Sequence, residues 1–222
     1  MNTKSITIAI LTHNRSYMVS RAIRSALQQI NDDFEMQVVV VDDCSEDETA
    51  KVLKKFGSKI EYIRNDTNLG VGSSSNIALR TAKSDYFVRL DSDDYFGSLF
   101  CATALNLLTS NPEISLFTCN YLEVDEDEIP QRVVSLQNWN EMCNFGAGMV
   151  FRTQKLLEMG GYKEGLRYGE DLDLHLRLGN NPGSRYHFPV PLYRRKIHST
   201  NLSSEPSDKS TREEIMRHVE TI

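Results

Sequence analysis

The chain lacks a long apolar run, a paired-cysteine spacing and an excess of basic residues. Each absence removes a class of function. A membrane-crossing helix needs about 18 consecutive apolar residues, and no stretch approaches that length. The early apolar run Ile6 to Leu11 is too short for a signal-peptide core, and Thr7 interrupts it. Four cysteines, Cys44, Cys101, Cys119 and Cys143, stand without Cys-x-x-Cys spacing. That argues against a disulfide scaffold or a zinc ribbon, and for reduced thiols in a cytoplasmic protein. Lys and Arg number 25 against 31 Asp and Glu, a net charge of −6, so a dedicated nucleic-acid binder is not expected. With no internal repeat, clear linker or low-complexity tract, the 222 residues read as one domain.

What is present is an alternation of strands and helices. Ile6 to Leu11 and Gln37 to Val41 are apolar on both faces, as buried parallel strands are. Ile60 to Ile63, Tyr86 to Leu90 and Ile114 to Thr118 read as further strands. Helical periodicity runs through Met18 to Ile30, Ala50 to Phe56, Ile77 to Ala82 and Leu99 to Leu108. This pattern implies an α/β fold with a mostly parallel central sheet and helices on both faces. The second half is less regular. It shows a helix opening at Gly169-Glu170-Asp171, a short strand at Tyr186 to Val190 and a basic extended segment from Tyr193 to His198.

Ligands in such sheets bind outside the carboxyl ends of the strands. Thr12, Asp42, Asp43, Asp91 and Asp93 all stand at those ends. Asp91-Ser92-Asp93 offers two carboxylates that could share a hard divalent cation, although acidic triplets also occur in ordinary loops. Asp43 could accept hydrogen bonds from a base or a ribose, or cap the next helix together with Ser45. Glu170-Asp171 could supply a general base, or simply favour a helix N-terminus. His198, after Arg194-Arg195-Lys196, could be a metal ligand beside a diphosphate clamp, or a surface histidine. Asp125 to Glu128 reads as a solvated loop. Asn201-Leu202-Ser203 matches a glycosylation acceptor, with no secretion signal to make it pertinent.

Taken in order, Thr12-His13-Asn14, Val41-Asp42-Asp43-x-Ser45, Asn68-x-Gly70, Asp91-x-Asp93, Gly146-x-Gly148, Glu170-Asp171 and His198 resemble the family 2 glycosyltransferases of GT-A fold. The resemblance covers about residues 5 to 203. It implies a metal-dependent inverting transferase that moves a sugar from a nucleotide-diphospho-sugar, UDP-linked by expectation, to a hydroxyl. Thr12, Asn14, Asp43, Asn68, Asp91 and Ser92 would hold the nucleotide sugar. Asp93 and His198 would hold Mn²⁺ or Mg²⁺, Asp171 would be the base and Glu170 its helper. Residues 1–118 would form the nucleotide half of a domain 1–205, and 119–205 the acceptor half, with 206–222 a polar tail. Trp139 and Phe145 could stack on an acceptor sugar, or pack in the core. The acceptor would be a glycan or a lipid-linked sugar, and membrane contact would be peripheral. Two alternatives stand beside this reading. A nucleotidyltransferase would need a glycine-rich basic loop where Thr12 to Ser16 has none. A catalytically silent sugar-nucleotide-binding protein would have no use for the acidic set.

Overall fold

The computed structural model describes residues 4–30, 33–136, 146–166, 169–178, 184–199 and 201. In chain order the elements are β1 (Lys4–Thr12), α1 (Val19–Leu27), β2 (Phe34–Asp42), α2 (Thr49–Lys54), β3 (Glu61–Arg64), α3 (Val71–Thr81), β4 (Tyr86–Asp91), β5 (Tyr95–Phe96), α4 (Phe100–Ser110), β6 (Leu116–Val124) and β7 (Pro130–Val134). Then come β8 (Val150–Arg152), α5 (Thr153–Glu158), α6 (Glu170–Arg177) and β9 (Arg185–Lys196). Trp139, Phe145, Cys143 and the 206–222 tail lie outside the described residues. The other three cysteines are unpaired, with Cys101 and Cys119 buried.

All nine strands join one sheet, in the order β3-β2-β1-β4-β8-β6-β9-β5, with β7 on β6. The first four run parallel. The side chains of β1, β4 and the second half of β2 are buried on both faces, which is why these stretches lack polar alternation, while β3 at the sheet edge is partly exposed. Ile6, Ile8, Ile10, Val38 and Val40 face α1 and α4. Ala9, Leu11, Val39 and Val41 face α3, α5 and α6. Helices therefore cover both faces, as expected. Each fully buried Ile or Leu contributes roughly 1.5–3 kcal/mol of apolar burial, so these two layers fix the strands firmly.

Register then places the site. Thr12 pairs with Asp42, and Leu11 with Asp91, so the carboxyl ends of β1, β2 and β4 stand in one row. The later strands bring the second half of the chain to that row. β8 lies antiparallel to β4, and Gly148 N donates to Arg89 O at 3.0 Å, which draws the 146–149 segment past the end of β4. β9 runs parallel to β6 and pairs antiparallel with β5, so its last residues reach the turn after Asp91. Sequence reading split β9 into a strand and a separate basic segment. One strand spans both, bending at Pro189 and Pro191, where the register against β6 slips around Asn120. A bulge is where a strand accommodates proline. Among the described residues no helix is long and apolar enough to cross a membrane.

Candidate active site

At the centre lies a residue that the sequence reading did not select. Arg89 sits in β4 between Val88 and Leu90 and is 3% exposed. A buried guanidinium is costly unless paired. Here it is paired with carboxylates from its own strand and from one distant stretch of chain. Nη1 reaches Glu170 Oε1 at 2.9 Å, Nη2 reaches Asp171 Oδ2 at 2.8 Å, and Nε lies 3.3 Å from Asp91 Oδ1. The Tyr162 ring covers the guanidinium, 5.6 Å from ring centre to its carbon. Tyr162 is held in turn by Asn76, whose Oδ1 accepts Tyr162 N and whose Nδ2 donates to Tyr162 O, both at 2.8 Å.

Asp171 enters the site because Gly169 takes a left-handed conformation (φ 85°) at the start of α6. That conformation suits glycine. The Asp171 carboxylate lies flat against Gly146. Burial pushes its pKa up to about 8, and Glu170 and Asp91 add to the rise, while the Arg89 charge pulls it back down. Its Oδ1 is buried and has no hydrogen-bond partner. The Asp91–Asp94 turn carries the other acids. Asp93 Oδ2 lies 3.0 Å from His198 Nε2. The third aspartate, Asp94, is buried and ties the turn to β9: Tyr193 Oη donates to Oδ2 at 2.6 Å, and Lys196 N donates to Oδ1 at 2.8 Å. Asn201 completes the arrangement. Its Oδ1 accepts His198 N at 2.7 Å, its Nδ2 donates to Lys196 O at 3.0 Å, and Nδ2 lies 3.1 Å from His198 Nε2.

Asp93 and His198 thus offer one carboxylate and one imidazole at adjoining positions. That donor set suits a divalent ion that keeps its remaining positions for water and phosphate. Among the described residues no three His, Cys, Asp or Glu side chains converge as a closed cage. Arg194 and Arg195 are engaged in packing β9: Arg194 Nη1 donates to Pro191 O, and Arg195 Nη1 pairs with Glu123 at 3.1 Å.

The ends of β1 and β2 form a second group. Asp42 is fully buried, accepting Ser45 N, Tyr62 Oη and Arg64 Nη1. Asp43 folds the 65–70 turn. Its Oδ1 accepts Asn65 Nδ2 and Leu69 N, and its Oδ2 accepts Gly70 N, all at 2.8 Å. A carboxylate has about four acceptor positions, so one on Oδ2 is left for a ligand. Thr12 Oγ1 is buried with no partner. Asn14 joins the two turns, with its backbone N on Ser45 Oγ and its Oδ1 on Glu46 N. Asn68 is exposed and its Oδ1 accepts Gly70 N at 3.2 Å, while Ser92 is buried inside the Asp91–Asp94 turn.

Arg89, Tyr162, Asp94 and Asn201 were all missed from sequence. The available signals were an arginine alone in an apolar strand, a third aspartate in the turn, and an asparagine set aside as part of a glycosylation pattern.

Known proteins resemble this chain in sequence and in fold. The family model described as glycosyl transferase family 2 matches residues 7–168. An uncharacterized glycosyltransferase of Haemophilus influenzae is 28% identical, over 96% of this chain and 75% of its own. Among solved structures, S. aureus TarS 1-349 in complex with UDP-GlcNAc superposes with a TM-score of 0.82 at 22% identity, over 97% of this chain and 65% of that one. The mannosyltransferase PcManGT from Pyrobaculum calidifontis, in complex with GDP-Man and Mn2+, superposes with a TM-score of 0.70 at 17% identity, over 88% of this chain and 58% of that one. This chain therefore spans less than two thirds of either solved neighbour. With the motifs in order, the matching family model and the shared GT-A fold, the chain belongs to glycosyl transferase family 2.

Proposed function

We propose that this chain transfers a sugar from a nucleotide-diphospho-sugar to an acceptor hydroxyl with inversion at the anomeric carbon, using Asp171 as general base. The observation that carries this reading is the unpaired Oδ1 of Asp171. It is a buried carboxylate oxygen with no protein donor, on a group whose pKa is raised toward the range of a working base. Arg89 occupies the other oxygen, so Oδ1 is the atom available to take the proton of an incoming hydroxyl. Glu170 shares the same arginine and helps to fix the base.

The nucleotide is assigned to the row of strand ends. Thr12 Oγ1 and the remaining position on Asp43 Oδ2 offer a base one donor-acceptor hydroxyl and one acceptor, which suits the polar edge of uracil. Asp91 and Ser92 would face the ribose, and Asn14 and Asn68 would shape the turns around it. Asp93 and His198 would hold Mn²⁺ or Mg²⁺. A bound divalent ion would neutralise the charge that develops on the departing diphosphate. UDP-GlcNAc bound to TarS supports a UDP-sugar donor, and Mn2+ bound to PcManGT supports the metal. A glycan or lipid-linked acceptor fits this family context.

The test is UDP release from UDP-GlcNAc and other sugar nucleotides by purified protein with Mn²⁺, over a panel of glycan acceptors. Turnover by wild type, abolished in Asp93→Ala and nearly so in Asp171→Asn, is expected. Equal turnover by Asp171→Asn would remove the base assignment. Absence of a melting shift with every nucleotide, with and without Mn²⁺, would remove the donor assignment.

A further inference from the structure

Arg89 is buried, yet it joins carboxylates 81 and 82 residues further along the chain to one two residues away. Among the described residues, the charged and titratable groups that act on Asp171 meet this one cation. Asp91 comes from β4, Glu170 from α6 and Tyr162 from the loop before α6, while Gly146 contributes only backbone. We infer that Arg89 is a positioning residue for the base: it fixes Asp171 in one rotamer against Gly146, occupies Oδ2 so that Oδ1 alone stays unpaired, and ties this pair to Asp91 at the donor-side strand end. The inference rests on the reading of Asp171 as the base.

Three facts carry it beyond an ordinary ion pair. The guanidinium is a rigid planar fork whose three nitrogens serve three different carboxylates, which a point-charge ammonium cannot reproduce. The two carboxylates on α6 use separate nitrogens, so the arginine spaces them as well as pairing them. The third, Asp91, belongs to the turn that carries Asp93, so a change at the donor end reaches the base through a single side chain. Without the cation, three carboxylates would crowd a half-buried space, and Asp171 would take up a proton more readily.

The test uses the full chain labelled with ¹³C-aspartate, following the Asp171 carboxyl resonance against pH, with Asp171→Asn to assign it. In Arg89→Gln the titration midpoint should rise by about one to three pH units. In Arg89→Lys it should rise less, since the charge stays and the fork is lost. In Glu170→Gln it should fall, because a neighbouring negative charge is removed. If Arg89→Gln does not fold, Arg89→Lys and Glu170→Gln still decide the matter by moving in opposite directions. A midpoint that stays at the wild-type value in Arg89→Lys and Glu170→Gln would overturn the inference. A kinetic arm follows UDP release from UDP-GlcNAc with water as acceptor. Arg89→Lys should lower kcat, leave KM unchanged and recover as pH rises, and a loss independent of pH would count against the inference. If wild type releases no UDP, the proposed donor falls, while the resonance still tests Arg89.

Discussion

The carboxylate of Asp171 occupies the space in which a side chain on Gly146 would stand. A Cβ built on Gly146 falls 1.7 Å from Asp171 Cγ and 1.9 Å from its Oδ2. The obstructing atoms belong to the Asp171 side chain rather than to backbone, so Gly146 leaves the room that this carboxylate occupies. Gly146→Ala should fold normally and turn the Asp171 carboxylate away from Arg89. A displacement of about 1 Å at a reacting group costs on the order of 100-fold in rate. Transfer should fall by about that factor while UDP binding, followed by calorimetry, is retained. Loss of both together would show that Gly146 serves the fold instead.

Asp171 also predicts two pH dependences of opposite sense. A base works deprotonated, so kcat should climb as pH rises through the Asp171 pKa of about 8. Asp171→Asn should be flat with pH and slower by about 10²–10⁴. Stability runs the other way. The folded pKa lies above the ordinary 3.8, so the protonated form is favoured by folding. Its contribution is complete below about pH 4 and is lost as pH climbs toward about 8. Melting curves should therefore show Asp171→Asn gaining on wild type across that interval. A gap that stays constant from acid to alkaline pH would contradict the raised pKa.

The metal pair can be tested without knowing the acceptor. Mn²⁺ with UDP should raise the melting temperature of wild type, since a ligand present at 100 times its Kd stabilises by about 2.7 kcal/mol. Asp93→Ala and His198→Ala should lose the part of the shift that requires Mn²⁺. Asn201→Ala should weaken it by a factor of about 10–100, as supporting residues of metal ligands do. An unaltered shift in His198→Ala would exclude that histidine as a ligand.

Tyr193→Phe tests the tie between the acidic turn and β9. It deletes the hydroxyl that donates to the buried Asp94 at 2.6 Å. Leaving a buried acceptor short of a donor costs about 1–3 kcal/mol, which denaturant unfolding should read. Because Lys196 N still holds Asp94, the sheet should persist and the Mn²⁺ response should weaken. An unchanged unfolding midpoint would mean that water replaces the hydroxyl.

The parts of this design legible in sequence are those written as local pattern. The apolar runs ending on Thr12, Asp42 and Asp91 announced parallel strands with their carboxyl ends side by side, and the register confirms that alignment. Gly146-x-Gly148 was recognisable as a motif, but its reason, room for a carboxylate, lies 25 residues downstream. Arg89 has no periodic signal, because one cation in an apolar strand looks the same whether its partners are water or distant acids. β9 was read as two pieces, Tyr186 to Val190 and Tyr193 to His198, and the slipped register with β6 shows how one strand runs through both. Asp43 was expected to meet a base, and most of its acceptor positions instead serve the 65–70 turn.

The place of β9 has a consequence for the order in which the molecule is made. Asp93 and His198 are 105 residues apart, and β9 must reach across the sheet to join them. The β1–β4 half closes through short helical crossovers, which form early because little chain entropy is lost. A ribosome therefore releases the row of strand ends at Thr12, Asp42 and Asp91 well before His198, which meets Asp93 in the acidic turn. During synthesis the row of strand ends can form before the partner of Asp93 exists, and β9 brings that partner to it.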